Sequence, residues 1–172
     1  EAIASAGAAQ MVNYYGLPSS VGAGMTDAKL PDCQAGYEKA LAIALAAHAG
    51  ANNVSESAGM LGSLMALSLE AMVIDNDMLG AVLRTVRGIE VNDETLSVET
   101  IREVCLNGPG HYLGHSQTLS LMQREYIYPE IGNRLSPKEW AEVGKPDIVK
   151  IAIAKKRELL ASHFPRHIPD AV

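Results

Sequence analysis

The sequence predicts an α/β fold built from strand–helix–strand units. Two short apolar segments, 17–21 and 51–55, are each followed by a loop and a longer helical pattern. Aromatic residues make up only 5% of the chain and alanine is abundant, which favours close-packed helices over an all-β sandwich. Strand–helix–strand units form parallel sheets with right-handed crossovers. Two or three strands are too few for a closed barrel. The sheet is therefore either open or a barrel segment that lacks its other strands.

Length, charge and cysteine content narrow the possible classes of protein. A chain of 172 residues suits one domain with a substantial core. Its net charge of −6 argues against nucleic acid as a partner, because a binder needs a cationic face for phosphates. No apolar run reaches the roughly 20 residues that span a bilayer. Cys33 and Cys105 lack the spacing of a zinc site. We therefore expect a cytoplasmic protein with reduced thiols, without nucleic-acid or membrane partners.

The first elements are a helix, a strand and a second helix. Residues 2–15 form a weakly amphipathic helix that ends at Gly16, and the strand 17–21 follows. Asp32 is expected to cap the next helix, because its carboxylate can accept hydrogen bonds from the free amides of the first turn. This second helix is expected to end at Gly50.

The middle of the chain continues the same alternation. A second strand over 51–55 leads through a loop to a long helix over 68–87. A third short strand is expected over 89–91, and a helix over 97–107 is expected to start at Ser97 as its cap.

The last third of the chain, from Gly108 onward, is predicted to be mainly helical. Residues 136–139 read Ser-Pro-Lys-Glu, which is a capping box with proline at the first helical position. Trp140 is expected to anchor this turn in the core. A last helix is expected over 146–163, with the basic run 155–157 on a solvated face.

The loop after the first strand is the first candidate ligand site. Gly22 and Gly24 permit a tight turn or a close approach to a ligand, and Asp27 and Lys29 bring charge to the strand exit. Ligands of α/β proteins collect at the carboxyl ends of such strands. An ordinary turn with solvated charges is the alternative. Glu56 directly follows the second strand, where a carboxylate marks either a site or a structural salt bridge.

Two histidines form a second candidate site. His111 and His115 are four residues apart and could share a helix face, a geometry that can hold a metal. Glu125 could supply a third ligand, which would suit a metal hydrolase. The alternative, which we prefer, is that one histidine caps a turn and the other packs, so that the chain binds no metal.

Several segments together resemble one known family. They occur in the family's order and span nearly the whole chain. These segments are the T-D-A-K and D-C-Q-A-G-Y-E-K-A motifs of 26–40, G-A-N and A-G-M-L within 50–61, S-L-E-A-M-V-I-D-N at 68–76, R-G-I-E-V at 87–91, H-Y-L-G-H-S-Q-T-L and R-E-Y-I-Y-P within 111–129, and the segment around Trp140. The chain is similar to the C-terminal part of the trimethylamine methyltransferase family of corrinoid-dependent methyltransferases.

The resemblance implies a fold and a reaction. The chain would be the C-terminal portion of a (β/α)8 TIM barrel with additional C-terminal helices, divided into a barrel segment, 1–107, and a helical extension, 108–172. Family members move a methyl group from a methylated amine to the cobalt of a corrinoid (cobalamin) that a separate protein carries, so no cofactor is expected on this chain itself. The founding enzymes use pyrrolysine, whereas this sequence contains only standard residues. It therefore resembles the pyrrolysine-free branch, which is similar to glycine betaine methyltransferases.

The implied substrate suggests which residues would bind it. An ammonium can be held by aromatic faces and a nearby carboxylate. The candidate substrate-binding residues are Tyr15, Asp27, Glu56 and Tyr112, and the candidates at the barrel mouth are Gly22, Gly24, Lys29, His111 and His115. No residue is assigned a catalytic role. The expected partners are a corrinoid protein and a small methylated amine, together with either further copies of the chain or a missing N-terminal barrel half. The alternative is a truncated α/β module that binds a ligand or partner without catalysis.

Overall fold

Residues 1–163, the part of the chain that the computed structural model describes, form a mainly helical α/β structure. The helices are α1 (Ala2–Tyr14), α2 (Cys33–His48), α3 (Leu69–Arg87), α4 (Asp93–Leu96), α5 (Val98–Arg102), α6 (Ser116–Glu125), α7 (Pro137–Glu142) and α8 (Ile148–Ser162), with a π-helical turn over Glu103–Asn107. The strands are β1 (Ser20–Gly22), β2 (Asn53–Ser55), β3 (Met60–Leu61) and β4 (Ala66–Leu67). The predicted α/β class is confirmed. These residues contain no closed barrel, and the barrel segment stays a prediction.

The chain divides into two compact units. The first unit comprises residues 1–86 together with the residues from 129 onward, and the second comprises residues 87–128. The domains predicted from the resemblance, 1–107 and 108–172, stay a prediction. Within residues 1–163, no helix combines the length and the apolar character needed to cross a bilayer.

In the first unit, β1 and β2 form a parallel pair connected through α2. Val21 lies opposite Val54 in this pair, which confirms the predicted strand–helix–strand unit. Both strands are shorter than predicted. The Ser19 carbonyl still accepts from the Asn53 amide at 3.1 Å, but the remaining contacts between Ser19 and Asn52 are made by side chains. The Ser19 amide donates to Asn52 Oδ1 at 2.8 Å, and the Asn52 amide donates to Ser19 Oγ at 3.1 Å. Side chains thus replace the backbone pairing that would extend the sheet.

The core beside this sheet consists of small residues. Ala9 of α1 packs with Ala42, Ile43 and Ala46 of α2, and all four are almost fully buried. Alanine at three of these four positions lets the two helices approach closely, since the distance between helix axes depends on the side chains at the contact. α3 adds Val82 to the same cluster. Helices α1 and α2 therefore pack closely against each other and against the strands.

The predicted N-terminal ends of α2 and α7 are confirmed, and both depend on capping residues next to the helix. The Asp32 carboxylate accepts hydrogen bonds from the amides of Gln34 and Ala35 at the start of α2. Ser136 and Glu139 form the predicted capping box, with Pro137 at the first helical position of α7. These motifs act through atoms within three residues of one another, so they do not depend on the rest of the fold.

Asp77 of α3 holds the segment that follows residue 128. Its carboxylate accepts hydrogen bonds from three consecutive amides, those of Glu130 at 3.2 Å, Ile131 at 2.7 Å and Gly132 at 2.8 Å. Ile131 is buried. A single side chain thus fixes the entry of the C-terminal segment into the first unit.

Two predictions about the C-terminal segment need correction. Trp140 is half-buried rather than in the core, and its Nε1 donates to the Pro146 carbonyl at 3.0 Å. Lys155 and Lys156 do not form a solvated face, since Lys155 pairs with Glu130 at 3.3 Å and Lys156 pairs with Glu70. Both lysines lie partly buried along α8.

The second unit differs from prediction at two points. Residues 89–91 form no strand, and Ile89 is 85% exposed. No other strand lies among the described residues of this unit, so the backbone groups of 89–91 have no strand to pair with. The predicted helix over 97–107 is present as α5 and the π-helical turn, which together span 98–107, and Ser97 lies at its N-cap position, but the Ser97 side chain makes no capping hydrogen bond. Ser97 also ends α4, which Asn92 caps, and it adopts φ 56°, which separates α4 from α5. Its hydroxyl turns back to the carbonyls of Glu94 and Thr95.

We predict that Gly24→Ala destabilises the intact protein, whereas Gly7→Ala does not. Gly24 has φ +99°, and a Cβ there would lie 2.9 Å from Ile43 Cδ1 and from the Ser57 Cα. Backbone strain and overpacking together should lower the free energy of unfolding by about 2–4 kcal/mol. Gly7 lies inside α1 with nothing near its Cβ position, so alanine there should be neutral or stabilise by about 0.5–1 kcal/mol. Thermal denaturation of the two variants tests this; equal melting temperatures would contradict it.

Candidate functional site

A pocket of about 380 Å³ opens beside the loop between β1 and α2. Its walls belong entirely to the first unit. The residues around it are Glu1, Ala2, Met25, Thr26, Asp27, Tyr37, Glu38, Leu41, Ala42 and Ser63. The charged residues of this lining are all acidic, and Tyr37 supplies an aromatic ring. The pocket therefore combines negative charge with apolar walls.

Glu38 organises the loop at the edge of the pocket. Its Oε2 accepts hydrogen bonds from Thr26 Oγ1 at 2.5 Å and from the Asp27 amide at 3.0 Å, and its Oε1 accepts from Gln34 Nε2 at 2.9 Å. The carboxylate reaches this loop because side chains on a helix lean toward its N-terminus. The hydrogen bond from Thr26, followed by that from Gln34, lowers the pKa of Glu38 below its ordinary value of 4.5. These donors are neutral, and the positive charge of Lys29 makes a smaller contribution to the lowered pKa.

The loop after β1 is also fixed from its other side by the hairpin of β3 and β4. The Gly62 amide donates to the Ala28 carbonyl and the Ser63 amide to the Thr26 carbonyl, each at 2.8 Å. The Ser63 hydroxyl donates to Asp27 Oδ1. Asp27 is thus held by the hairpin tip and keeps its carboxylate at the pocket wall.

The predicted strand-exit residues lie at one edge of the β1–β2 pair. Gly22 ends β1, and Glu56 directly follows β2 with φ 61°. The Oε2 of Glu56 lies 3.3 Å from the position that a Cβ on Gly22 would occupy. Lys29 donates to the Asp27 carbonyl at 2.7 Å. Of these residues only Asp27 belongs to the pocket lining, and Glu56 lies against the adjacent strand end.

Tyr15 is outside the pocket lining. It follows α1, is 66% exposed, and meets Tyr14 edge to face with the ring centroids 5.4 Å apart. The aromatic ring at the pocket is that of Tyr37, in the second turn of α2. A substrate-binding role for Tyr15 stays a prediction.

The candidate histidines and Tyr112 belong to the second unit. His115 caps α6, because its Nδ1 accepts from the Gln117 amide at 3.1 Å. This is the turn-capping role that the sequence suggested for one histidine. The Tyr112 hydroxyl lies 3.3 Å from Cys105 Sγ, and this hydrogen bond is the main cause that raises the pKa of Tyr112.

The proposed third metal ligand has other partners. Glu125 pairs with Arg87 Nη2 at 2.9 Å and with Arg124 Nε at 2.8 Å. Within residues 1–163, no three His, Cys, Asp or Glu side chains lie close enough together to hold a metal ion. The described geometry therefore gives a metal hydrolase no support.

Comparison with known proteins identifies the family. The family model for trimethylamine methyltransferase matches residues 1–172, the whole chain. This chain belongs to the trimethylamine methyltransferase family. The resemblance seen in the sequence motifs is thereby confirmed.

Similar family members include proteins with two different names. The chain is 40% identical over 159 residues to a trimethylamine methyltransferase MttB of Methanosarcina thermophila, covering 92% of this chain and 32% of the relative. It is 32% identical over 158 residues to a glycine betaine methyltransferase of Desulfitobacterium hafniense strain Y51, covering 91% of this chain and 32% of the relative. It is 33% identical over 168 residues to an MttB of D. hafniense strain DSM 10664, covering 98% and 33%. The chain thus spans about a third of the length of the curated relatives it matches. The pyrrolysine-free branch stays a prediction.

Of the residues around the pocket, sequence reasoning named only Asp27; among those it missed are Thr26, Tyr37, Glu38 and Ser63. A signal for Glu38 was present, because a side chain in the second turn of a helix leans back toward the loop before it. Thr26 lies one residue before Asp27 and shares that loop. Ser63 carries no local signal, since its contact with Asp27 joins residues that are 36 positions apart.

We predict that Glu38→Gln removes part of the pH dependence of stability. The folded-state pKa of Glu38 is lowered, so the ionised carboxylate stabilises the fold above its unfolded-state pKa, and that contribution is lost as pH falls through the folded-state pKa. The wild type should be more stable than Glu38→Gln near pH 7, and the difference should shrink toward about pH 3. Thermal denaturation across this range measures it. Glu142→Gln, at an exposed position of α7, is the matched control. A difference that does not change with pH would refute the prediction.

Proposed function

We propose that this chain forms part of a methyltransferase that removes a methyl group from a small methylated or quaternary amine and delivers it to the cobalt of a corrinoid carried by a separate protein. The observation that carries the proposal is the pocket beside the β1–α2 loop, in a chain that belongs to this family. Trimethylamine and glycine betaine, which the names of relatives mention, are the substrates to test first.

The pocket chemistry suits a methylated cation. The methyl groups of an ammonium need apolar surroundings, which Met25, Leu41 and Ala42 supply. Its positive charge favours aromatic faces and carboxylates, which Tyr37 and Asp27 supply. The charge of Glu38 adds to this field, since the side chains that donate to it are neutral.

The proposed transfer explains why the protein can act mainly by binding. The carbon–nitrogen bond breaks with its electron pair going to nitrogen, so a quaternary ammonium leaves as a neutral tertiary amine. The acceptor cobalt(I) supplies both electrons of the new cobalt–carbon bond and is formally oxidised to cobalt(III). Because that leaving group is neutral, no proton has to be delivered to it. A tertiary amine such as trimethylamine would react as the protonated trimethylammonium ion, whose nitrogen keeps its proton, so that neutral dimethylamine leaves. The pocket residues would bind and orient the cation and exclude water around its methyl groups.

The rest of the protein would complete this site. The relatives are about three times as long as this chain, so we propose that further barrel strands and residues outside it contribute to catalysis. A non-catalytic binding module is the second candidate. Exposed apolar side chains on α1 and α2, such as Tyr14 and Leu41, favour that alternative, since they would suit contact with another protein.

We predict methyl transfer by the intact protein when it is mixed with glycine betaine, other quaternary amines or trimethylamine, with free cob(I)alamin as acceptor. The visible spectrum should change to that of methylcobalamin with at least one amine. Tyr37→Leu should raise the KM for that amine by about 2- to 30-fold, because a cation–π contact contributes about 0.5–2 kcal/mol. Tyr37→Phe keeps the aromatic face and should stay close to wild type.

Two results would count against this proposal. Absence of methylcobalamin with every amine, both with free cob(I)alamin and with a corrinoid protein as acceptor, would favour the binding module. Equal KM values for wild type, Tyr37→Leu and Tyr37→Phe would show that the substrate does not bind in this pocket, but they would not count against the proposed reaction.

A further inference from the structure

A buried salt bridge joins α2 to α3. Lys39 Nζ is 2.6 Å from Asp75 Oδ2; the lysine is fully buried and the aspartate is 5% exposed. The same Oδ2 accepts a hydrogen bond from the Gly59 amide at 2.7 Å. Removing two charges from water is costly, and replacing such a pair by apolar residues is often neutral or stabilising. Its presence therefore calls for a role other than stability.

Asp75 anchors the base of the β3–β4 hairpin. Gly59 immediately precedes β3, and its carbonyl accepts from the Ser68 amide that follows β4, at 2.9 Å. Gly59 has φ +80°, and a Cβ there would lie 2.8 Å from Leu67 Cδ1. Any residue with a side chain would be strained at this φ, and the hydrogen bond that the Gly59 amide donates to Asp75 sets where the hairpin starts.

The tip of the same hairpin holds the pocket wall. Gly62 and Ser63 bind the loop after β1 through their amides, and the Ser63 hydroxyl binds Asp27. Between the base and the tip, Leu61 is buried in a cluster with Ala28 and Ala71. The hairpin therefore connects Asp75 to Asp27 through a short, packed segment.

Two consecutive residues of α2 make the contacts at the two ends of this link, one with the loop after β1 and the other with Asp75. Glu38 binds Thr26 and the Asp27 amide directly, whereas Lys39 points to Asp75 on α3. Successive side chains on a helix diverge by about 100°. The direction of α2 thus fixes the loop after β1 through Glu38 and the hairpin through Lys39.

We infer that Lys39 and Asp75 are positioning residues for the pocket, which place the Asp27 carboxylate through Gly59 and the hairpin tip. The inference rests on the proposed function for the identity of the ligand, a methylated ammonium. Its structural part, the link from Asp75 to Ser63, is independent of the ligand.

Two double variants of the intact protein isolate the hydrogen bond to Gly59. Lys39→Met/Asp75→Asn and Lys39→Met/Asp75→Leu both remove the buried charges. Only the first keeps a side-chain oxygen that can accept from the Gly59 amide. The asparagine NH2 in one variant and the Gly59 amide in the other lack a partner, so both variants should be less stable than the wild type, and they are compared at a temperature at which both are folded. A difference in substrate affinity then reports the position of the hairpin rather than overall stability.

We expect the leucine double variant to have a KM for the methylated amine about tenfold above that of the asparagine double variant, with the smaller change in kcat. Amide hydrogen exchange at Gly62 and Ser63 should also be about tenfold faster in the leucine variant. Equal exchange in the two variants would overturn the inference, as would equal KM values. If no amine is a substrate for the wild type, faster exchange still supports the link and only the proposed function fails.

A measurement on the wild type covers the case in which the leucine variant does not fold. If the hairpin moves as one segment, the amides of Gly59, Gly62 and Ser63 should exchange through one common opening, with equal opening free energies and equal dependence on denaturant. Widely different protection at the base and the tip would overturn the inference without any substitution.

Discussion

The salt bridge between Lys39 and Asp75 is the constraint on which the first unit depends. It joins α2 to α3 in the interior, and its oxygen also receives the Gly59 amide, so three segments meet at one carboxylate. Breaking one partner of such a pair leaves a buried charge, which typically costs about 3–5 kcal/mol. The two helices and the hairpin are therefore held in one relative arrangement, and the loop after β1 is fitted between them.

The sequence predicted the elements whose signals are local. Asp32 and Ser136 were identified as caps because a short polar side chain and the next free amides lie within three residues. The prediction of a strand over 89–91 was wrong because strand formation depends on a distant partner rather than on a local signal. An apolar triplet becomes a strand only beside another strand, and that partner cannot be read from the triplet itself. Ser97 does precede the predicted helix, but its hydroxyl does not cap it, because Ser97 also ends α4 and its hydroxyl donates to carbonyls of that helix.

For the candidate site, the sequence indicated the loop beside the pocket but not the distant residues of its lining, and the roles of the predicted residues stay a prediction. The rule that ligands gather at the carboxyl ends of parallel strands directed attention to the loop that contains Asp27, and the pocket lies beside that loop. The rule does not say which distant residues reach it. Ser63 arrives on a hairpin of two-residue strands, which leave no periodic pattern, and Tyr37 could equally have been a core residue. Contacts between residues far apart in sequence are what a single sequence shows least.

The adjacency of Glu38 and Lys39 makes the length of the first two turns of α2 more constrained than their composition. One residue inserted between Asp32 and Glu38 would rotate both side chains by about 100° around the helix and shift them by about 1.5 Å along it. Both contacts would then be lost in a single step, whereas a substitution removes one of them. Between the cap at Asp32 and this pair, related chains should therefore differ by exchange of residues and keep the same number of positions.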